Sequence, residues 1–315
     1  KLICIIRFFF FFENRKLTKN FSYIGILSLI FAMFIWASSF IALKAAMEDL
    51  GPFTVIFLRM LIASLCFVYF IKSFLKYDFS KKDIKFILLL ALFEPCLYFI
   101  FESKALQLTS ASQAGMITSL MPIITAMAAG YFLKEIITKQ LIFGSLIAMS
   151  GAIWLSLQGT TSISSPNPLL GNFLEFLAMA CGAGYTITAR YLSDKYSALF
   201  ITAIQAFIGA IFFTPLFIYE YFTIPLNITM NSFLWVLYLG VVVTLAGYGL
   251  YNYALTKITA SKAAVFVYLI PVFTLILAYF VLNEKLSIIE FIACLVILVG
   301  VFISEVSSSW FKKRI

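Results

Sequence analysis

The sequence contains no histidine, and only 12% of its 315 residues are charged. Without histidine, the chain cannot form a Ser-His-Asp triad, a histidine-ligated metal or haem site, or a histidine proton relay. A soluble domain has about 25% charged residues. The scarcity of charge therefore excludes a disordered chain, a nucleic-acid-binding protein and an ordinary cytosolic enzyme.

Cysteine and glycine motifs are also missing. The five cysteines lie singly within apolar runs, and no two of them form a CxxC pair, which predicts neither a disulfide framework nor a zinc site. The chain has no GxxxxGK[ST] loop for nucleotide phosphates and no TVGYG-like potassium filter. We therefore expect no metal site, no cofactor and no nucleic-acid partner.

Apolar residues dominate what is present. They make up 63% of the chain, and the mean hydropathy is +1.04. A helix that crosses the bilayer needs about 20 apolar residues, and the apolar runs predict an all-α membrane protein with ten transmembrane helices. The ten predicted spans are residues 23–46, 53–72, 84–104, 111–132, 138–158, 171–191, 197–219, 232–253, 260–281 and 287–307.

Basic residues indicate how these spans are oriented. Alternate loops together with the two chain ends hold 19 of the 23 lysines and arginines. Cytoplasmic loops carry the excess of lysine and arginine, so both termini are expected in the cytoplasm. The compact loops favour a bacterial inner membrane.

The two halves of the chain repeat one another. When residues 105–151 are shifted by 149 positions, 13 of 47 residues are identical, including Pro122 with Pro271 and Gly151 with Gly300. Each repeat has five spans, an odd number, so the second is expected to be inverted relative to the first. Inverted repeats around a midplane site are typical of secondary transporters.

The repeats also set the predicted domain organisation. It consists of an N-terminal cytoplasmic segment, a first repeat, a linker, a second repeat and a cytoplasmic tail. These cover residues 1–20, 21–158, 159–170, 171–307 and 308–315, respectively.

The layout and several short motifs resemble the EamA type of the drug/metabolite transporter superfamily, with two EamA repeats. In the first repeat the matching residues are Trp36-Ala37-Ser38-Ser39-Phe40, Pro52, Arg59, Ala105-Leu106, Ser110-Ala111-Ser112, Pro122 and Glu135. In the second repeat they are Ala254-Leu255, Ala260-Ser261, Pro271 and Glu284. The second repeat departs from the pattern, with Gly182 at the position of Trp36 and Gln205 at that of Arg59. The resemblance implies a ten-helix transporter of amino acids, other metabolites, drugs or nucleotide sugars.

Glu94 is the sharpest functional candidate. It lies ten residues into the third span, which is about 15 Å deep and near the midplane of a core about 30 Å thick. Pro95 follows and frees a backbone carbonyl. Arg59 in the second span reaches a similar depth, so the two side chains are expected to pair. Substrate binding, proton coupling and a structural ion pair all remain open for them.

Other polar and aromatic side chains complete the predicted site. Glu94, Tyr98 and Glu102 follow helical spacing, so one face of the third span is expected to line a path. Glu175 lies only one turn inside the sixth span and is expected in solvent. The predicted substrate-binding or coupling residues are Glu94, Arg59, Trp36, Ser39, Tyr98, Gln205, Tyr248 and Asn252.

These features predict a secondary active transporter rather than an enzyme. Its substrate would be a small metabolite such as an amino acid, exported by alternating access, with protons as the coupling ion and the lipid bilayer as its surroundings. A passive channel or an assembly partner is the first alternative. A membrane-embedded lipid-modifying enzyme is disfavoured, because the chain has no histidine and no DxxD-like pair.

Overall fold

The computed structural model describes residues 21–132, 139–158, 165–258, 260–283 and 287–305. The predictions for the N-terminal segment, for the tail after residue 305, for the first half of the linker, and for Glu135 and Glu284 lie outside these residues. All regular elements within them are helical, and no β-strand is present there. The prediction of an all-α membrane protein is confirmed. The inversion of the second repeat stays a prediction.

Within the described residues, fifteen α-helices occupy the predicted spans, because several spans are divided by short π or 3₁₀ segments. The helices are α1 (Phe21–Ala46), α2 (Pro52–Val68), α3 (Ile71–Phe74), α4 (Lys81–Ala91), α5 (Tyr98–Leu108), α6 (Ala111–Ile117), α7 (Met121–Phe132), α8 (Lys139–Gln158), α9 (Pro168–Leu192), α10 (Ala198–Thr223), α11 (Met230–Tyr238), α12 (Tyr248–Leu255), α13 (Ala260–Val265), α14 (Leu269–Val281) and α15 (Ile288–Glu305).

In the part of the chain that the structure describes, five continuous helical runs are long and apolar enough to cross a membrane on their own. They are Tyr23–Ala46, Lys81–Leu108, Ala111–Phe132, Ala198–Thr223 and Met230–Leu255. Many large apolar side chains on these helices face outward, as Phe222 does with 80% of its surface exposed. Exposed apolar surface on this scale is typical of a protein whose solvent is lipid.

Local sequence sets where the helices begin. The Ser110 side chain accepts a hydrogen bond from the Gln113 backbone N–H at the start of α6. Ser80 and Asp83 form a reciprocal capping box at the start of α4, which satisfies donors that a helix end leaves unpaired. Pro52 begins α2, where its missing N–H costs no helical bond.

The irregular segments recur at matching positions of the two repeats. One π-helical segment covers Leu92–Leu97 and another covers Leu239–Gly247, and adding 149 to the first places it within the second. Short 3₁₀ turns at Thr118–Leu120 and Phe266–Tyr268 correspond within one residue by the same shift. The repeats therefore share their breaks as well as their helices.

The chain forms two compact units that do not coincide with the two repeats. The first unit contains the described residues up to Cys96 together with Thr188–Thr259, and the second contains Leu97–Ile187 together with the described residues from Ala260 onward. Each unit thus combines helices from both halves of the sequence.

In the first unit, α2 packs along α10 and against the π-helical segment Leu239–Gly247. The rings of Phe57 and Phe217 stack with their centroids 4.5 Å apart. Helix α1 packs against α11, α12 and the same π-helical segment. This packing brings buried polar side chains from four helices together, as described below.

In the second unit, the most extensive contact joins α8 to α15. A Cβ atom on Gly151 would lie 2.9 Å from the Ile297 backbone nitrogen and 3.1 Å from the Ala293 carbonyl oxygen. A Cβ atom on Gly300 would overlap the backbone of Ala148. Only glycine at these two positions lets the backbones approach this closely.

Candidate functional site

The helix of the third span is broken at Glu94. Its backbone angles are φ −149° and ψ 118°, which are not helical, and the following Pro95 has no N–H to donate. The carbonyl oxygen of Glu94, which lies on non-helical backbone, accepts a hydrogen bond from Gln205 Nε2 at 3.4 Å. Only 3% of Glu94 is exposed, so the break places a carboxylate inside the first unit.

The Glu94 carboxylate is bonded by a tyrosine of the eighth span. The Tyr248 hydroxyl donates to Glu94 Oε1. Tyr248 begins α12, directly after the π-helical segment. The Trp36 ring lies 5.0 Å from the Tyr248 ring and 4.7 Å from the Tyr251 ring, measured between centroids. Aromatic surface thus lies beside the carboxylate.

Arg59 is buried near the ring of Tyr248. Its Nε donates to Thr244 Oγ1 at 2.8 Å, and its guanidinium carbon lies 5.9 Å from the centroid of the Tyr248 ring. The Thr244 hydroxyl in turn donates to the Leu239 carbonyl oxygen at 2.9 Å, within the π-helical segment. The predicted proximity of Arg59 and Glu94 is therefore mediated by Tyr248, while a direct ion pair between them stays a prediction.

A second set of polar groups adjoins Glu94 through Gln205. Asn252 Nδ2 donates to Thr202 Oγ1 at 3.0 Å and to Gln205 Oε1 at 3.3 Å. All three side chains are buried. Sequence reasoning missed Thr202, although it lies three residues before Gln205 and so shares its helix face.

Trp36 and Ser39 differ in what they offer to a ligand. The buried Trp36 Nε1 has no hydrogen-bond partner among the described residues. Since buried donors are nearly always satisfied, this indole N–H is available to a bound molecule. The Ser39 hydroxyl instead donates to the Trp36 carbonyl oxygen at 2.7 Å within the same helix.

Tyr98 lies apart from the other predicted residues. It belongs to the second unit, where its hydroxyl donates to Glu102 Oε1 at 3.0 Å. The predicted face of the third span is thus interrupted: Glu94 bonds within the first unit, whereas Tyr98 and Glu102 bond within the second. Glu94 itself lies within the π-helical segment Leu92–Leu97, which alters the angular spacing of side chains along this span.

The expectation that Glu175 lies in solvent is wrong. None of its surface is exposed, and neither carboxylate oxygen has a hydrogen-bond partner among the described residues. Helix α9 begins at Pro168, three residues before the predicted start. Glu175 therefore lies two turns inside the helix rather than one.

We name the set Glu94, Arg59, Tyr248, Thr244, Gln205, Asn252, Thr202 and Trp36 the Glu94 cluster. It combines a carboxylate, a guanidinium group, aromatic faces and an unsatisfied N–H donor. Within the described residues, no group of three or more histidine, cysteine, aspartate or glutamate side chains could hold a metal ion. The cluster is thus equipped for binding a charged molecule through hydrogen bonds and ring contacts.

Several proteins with similar sequences are named as transporters or exporters. An "Uncharacterized transporter" of Archaeoglobus fulgidus is 28% identical and is matched over 88% of this chain and 96% of its own length. An "Uncharacterized transporter" of Bacillus subtilis is 29% identical over 89% of this chain and 86% of its own length. A "Probable terminal-alkyne amino-acid exporter" of Streptantibioticus cattleyicolor is 22% identical over 82% and 85%, respectively.

The fold is also found in a solved structure. One crystal structure superposes with a TM-score of 0.64, covers 89% of this chain and 97% of its own, and shares 16% sequence identity. The pattern of the EamA-like transporter family matches this sequence twice, over residues 23–157 and 169–305. The chain therefore belongs to the EamA-like transporter family and is an integral membrane protein with two EamA repeats.

Proposed function

We propose that the protein is a secondary active transporter that exports a small metabolite, such as an amino acid, across a bacterial inner membrane. The observation that carries this proposal is the presence of two buried, oppositely charged side chains near Tyr248: Glu94, which accepts from the Tyr248 hydroxyl, and Arg59, which lies near the Tyr248 ring. An amino acid presents an ammonium group and a carboxylate, which match these two side chains. Arg59 suits the carboxylate because guanidinium groups bind carboxylates in a bidentate manner.

The neighbouring groups fit the rest of such a substrate. The rings of Trp36 and Tyr251 offer apolar surface to a side chain, and the Trp36 N–H offers a further donor. The name of the Streptantibioticus relative as an amino-acid exporter supports this substrate class. Both termini are placed in the cytoplasm on the basis of the lysine and arginine distribution.

The hydrogen bond from Tyr248 to Glu94 supplies a step for alternating access. In one state the Tyr248 hydroxyl donates to the Glu94 carboxylate. In the other state an ammonium group of the substrate takes the place of the hydroxyl. Glu94 lies on non-helical backbone and Tyr248 directly follows a π-helical segment, and discontinuous helices of this kind form the substrate sites of many transporters. The two repeats would rock about this site.

Counterflow in liposomes tests the proposal. Purified protein is reconstituted into vesicles loaded with an unlabelled mixture of L-amino acids, and uptake of the same amino acids in radiolabelled form is followed without an ion gradient. We expect saturable uptake that Glu94→Gln lowers by about tenfold, or roughly 1.4 kcal/mol. Asp194→Asn makes the same chemical change at a surface carboxylate that is 73% exposed, and it serves as the matched control.

Two results would contradict the proposal. Flux that rises linearly with concentration, without counterflow, would indicate a passive channel. Normal counterflow in Glu94→Gln would show that the Glu94 cluster is structural.

A further inference from the structure

Glu102 and Glu175 lie at the same depth in the second unit. Glu102 is six residues before the end of α5 at Leu108, and Glu175 is seven residues after the start of α9 at Pro168. These two helix ends are joined, since the Asn167 backbone N–H donates to the Leu108 carbonyl oxygen at 3.1 Å. At 1.5 Å per residue, both carboxylates lie about 10 Å along their helices from this joined end. The two carboxylates are close enough to interact electrostatically.

Both carboxylates of the pair are buried, and burial disfavours two neighbouring negative charges. Glu102 is 3% exposed and accepts a hydrogen bond from the Tyr98 hydroxyl. Glu175 is fully buried, and neither of its oxygens has a partner among the described residues. An ionised carboxylate in an apolar interior without a counter-charge or a donor costs many kcal/mol, so such a group takes up a proton instead.

Neutral polar side chains lie on the helices next to Glu102 and Glu175. Between it and the joined helix end lies a chain of hydrogen bonds, in which the Thr109 hydroxyl donates to Asn172 Oδ1 at 2.9 Å and Asn172 Nδ2 donates to Gln113 Oε1 at 2.8 Å. The neighbouring titratable side chains on α5 are Tyr98 and the exposed Lys104, which bonds Gln107. Helices α6, α7 and α8 contribute no acid and no arginine, and their sole lysine is Lys139 at the far end of α8.

We propose that Glu102 and Glu175 form a proton-binding pair inside the membrane, and that this pair couples substrate export to proton entry. Protonation of Glu175 is favoured by its complete burial without a hydrogen-bond partner among the described residues, and a second buried carboxylate in the same unit opposes a negative charge on it further. The binding step is the addition of a proton to a carboxylate to give a carboxylic acid. Proton binding stands on the geometry of this pair alone, whereas the coupling rests on the proposed function.

A metal cation suits the pair less well. Cations that prefer oxygen ligands need about six of them, and within the described part of the chain no group of three or more acidic, cysteine or histidine side chains is present. A proton needs only one carboxylate oxygen, which Glu175 supplies.

Infrared spectroscopy of the full-length protein in detergent tests proton binding without any substrate. We expect a carbonyl-stretch band of a buried carboxylic acid that weakens as the pH is raised from mildly acidic to mildly alkaline. Glu175→Gln should remove the band. Glu102→Gln should displace its pH profile, because the neighbouring charge is gone. This second variant keeps the test decisive if Glu175→Gln does not fold.

Glu220→Gln is the matched control for the infrared measurement. Glu220 is also a buried glutamate near a helix end, but it accepts hydrogen bonds from the Thr54 N–H at 2.7 Å, the Thr54 hydroxyl at 2.9 Å and the Phe53 N–H at 3.2 Å. The band should therefore persist in Glu220→Gln. A band that ignores pH, or a pH profile that is the same in wild type and Glu102→Gln, would overturn the proposal.

Coupling is tested in the amino-acid liposomes by imposing a pH gradient. The gradient should accelerate transport by the wild type but not by Glu102→Gln or Glu175→Gln. If the wild type transports amino acids and both variants still respond to the gradient, coupling through this pair is refuted while the transporter stands. If the wild type shows no amino-acid counterflow, the proposed function fails for this substrate class, and the infrared result still decides the proton site.

Discussion

The first and second units each bury a carboxylate in the middle of a span, and they treat it in opposite ways. Glu94 accepts a hydrogen bond from Tyr248, and Gln205 binds its backbone carbonyl. Glu175 is buried at least as deeply, yet its oxygens have no partner among the described residues. Burial alone therefore does not tell what a buried acid does. The number of donors aimed at it separates an acid held by the protein from one that must bind a proton.

The same two regions differ in how their aromatic neighbours are arranged. Trp36 packs on Tyr248 in the first unit, whereas the corresponding position of the second repeat is Gly182. A Cβ atom on Gly182 would lie 3.5 Å from the Tyr98 ring and 3.3 Å from the Met121 sulfur. The repeats have thus diverged at this position, because the second repeat has no ring beside Tyr98 that corresponds to Trp36.

The largest effect is expected from Arg59→Met. Arg59 is 1% exposed and donates to Thr244, and removing a buried charge from such a network costs about 3–5 kcal/mol. The melting temperature in detergent should therefore fall sharply. The control is Arg190→Met, at a partly exposed arginine whose partner Asp194 lies on the surface. Equal melting temperatures for the two variants would remove the distinction drawn for the Glu94 cluster.

The next largest effect is expected for transport in Tyr248→Phe. This change deletes only the hydroxyl that donates to Glu94 and leaves the ring contacts with Trp36 in place. Loss of a buried hydrogen bond to a charged group costs about 1.5–3 kcal/mol, so amino-acid counterflow should fall by about tenfold or more. Tyr279→Phe, at a tyrosine that is 55% exposed, is the control. Unchanged counterflow in Tyr248→Phe would show that this bond is not part of the transport step.

A smaller effect is expected from Thr244→Val, which keeps the shape of the side chain but removes the acceptor for Arg59 Nε. The free energy of unfolding should fall by about 1–3 kcal/mol, because a charged donor is left with one partner fewer. Denaturant unfolding measures it. Thr223→Val is the comparison, since its exposed hydroxyl bonds only within its own helix. Equal free energies of unfolding for the two variants would show that the Thr244 hydroxyl adds no stability to the Glu94 cluster.

For Glu175→Leu, the main expectation concerns the direction in which the melting temperature changes. No hydrogen bond to a described residue is lost, and replacing an isolated buried acid by an apolar side chain of similar volume is neutral or stabilising. The melting temperature should stay the same or rise, in contrast to Arg59→Met. A large fall would indicate that the Glu175 carboxylate is held by donors after all.

The smallest effect on the melting temperature is expected from Lys195→Met, in the loop between α9 and α10. Lys195 Nζ lies 2.6 Å from Asp83 Oδ2, and this hydrogen bond raises the pKa of Lys195. Because the folded pKa is raised, the stabilisation is complete below the ordinary lysine pKa and is lost as the pH rises through the raised value. Lys195→Met should thus lower the melting temperature slightly at neutral pH and not at strongly alkaline pH. Added salt should shrink the difference as well, since Lys195 is half exposed.

Sequence reasoning found charged residues better than it found their partners. Glu94 and Arg59 stand out because a charge inside an apolar run is rare and costly. The bond between Tyr248 and Glu94 was not foreseeable, because the two π-helical segments change which way the side chains point. Glu175 was misjudged for a simpler reason: α9 begins at Pro168, earlier than its apolar pattern indicates.

The contact between α8 and α15 has a property that belongs to symmetric dimers. Gly151 approaches Ala293 and Ile297, while Gly300 approaches Gly144 and Ala148. A shift of 149 positions converts the first set into the second, since residues 144, 148 and 151 become 293, 297 and 300. Each helix therefore presents equivalent positions of its repeat to the other, which is the arrangement of an isologous interface, although Gly144 and Ala148 are replaced by Ala293 and Ile297. A polypeptide with a single repeat would carry one set of these positions and would meet the corresponding set only on a second chain.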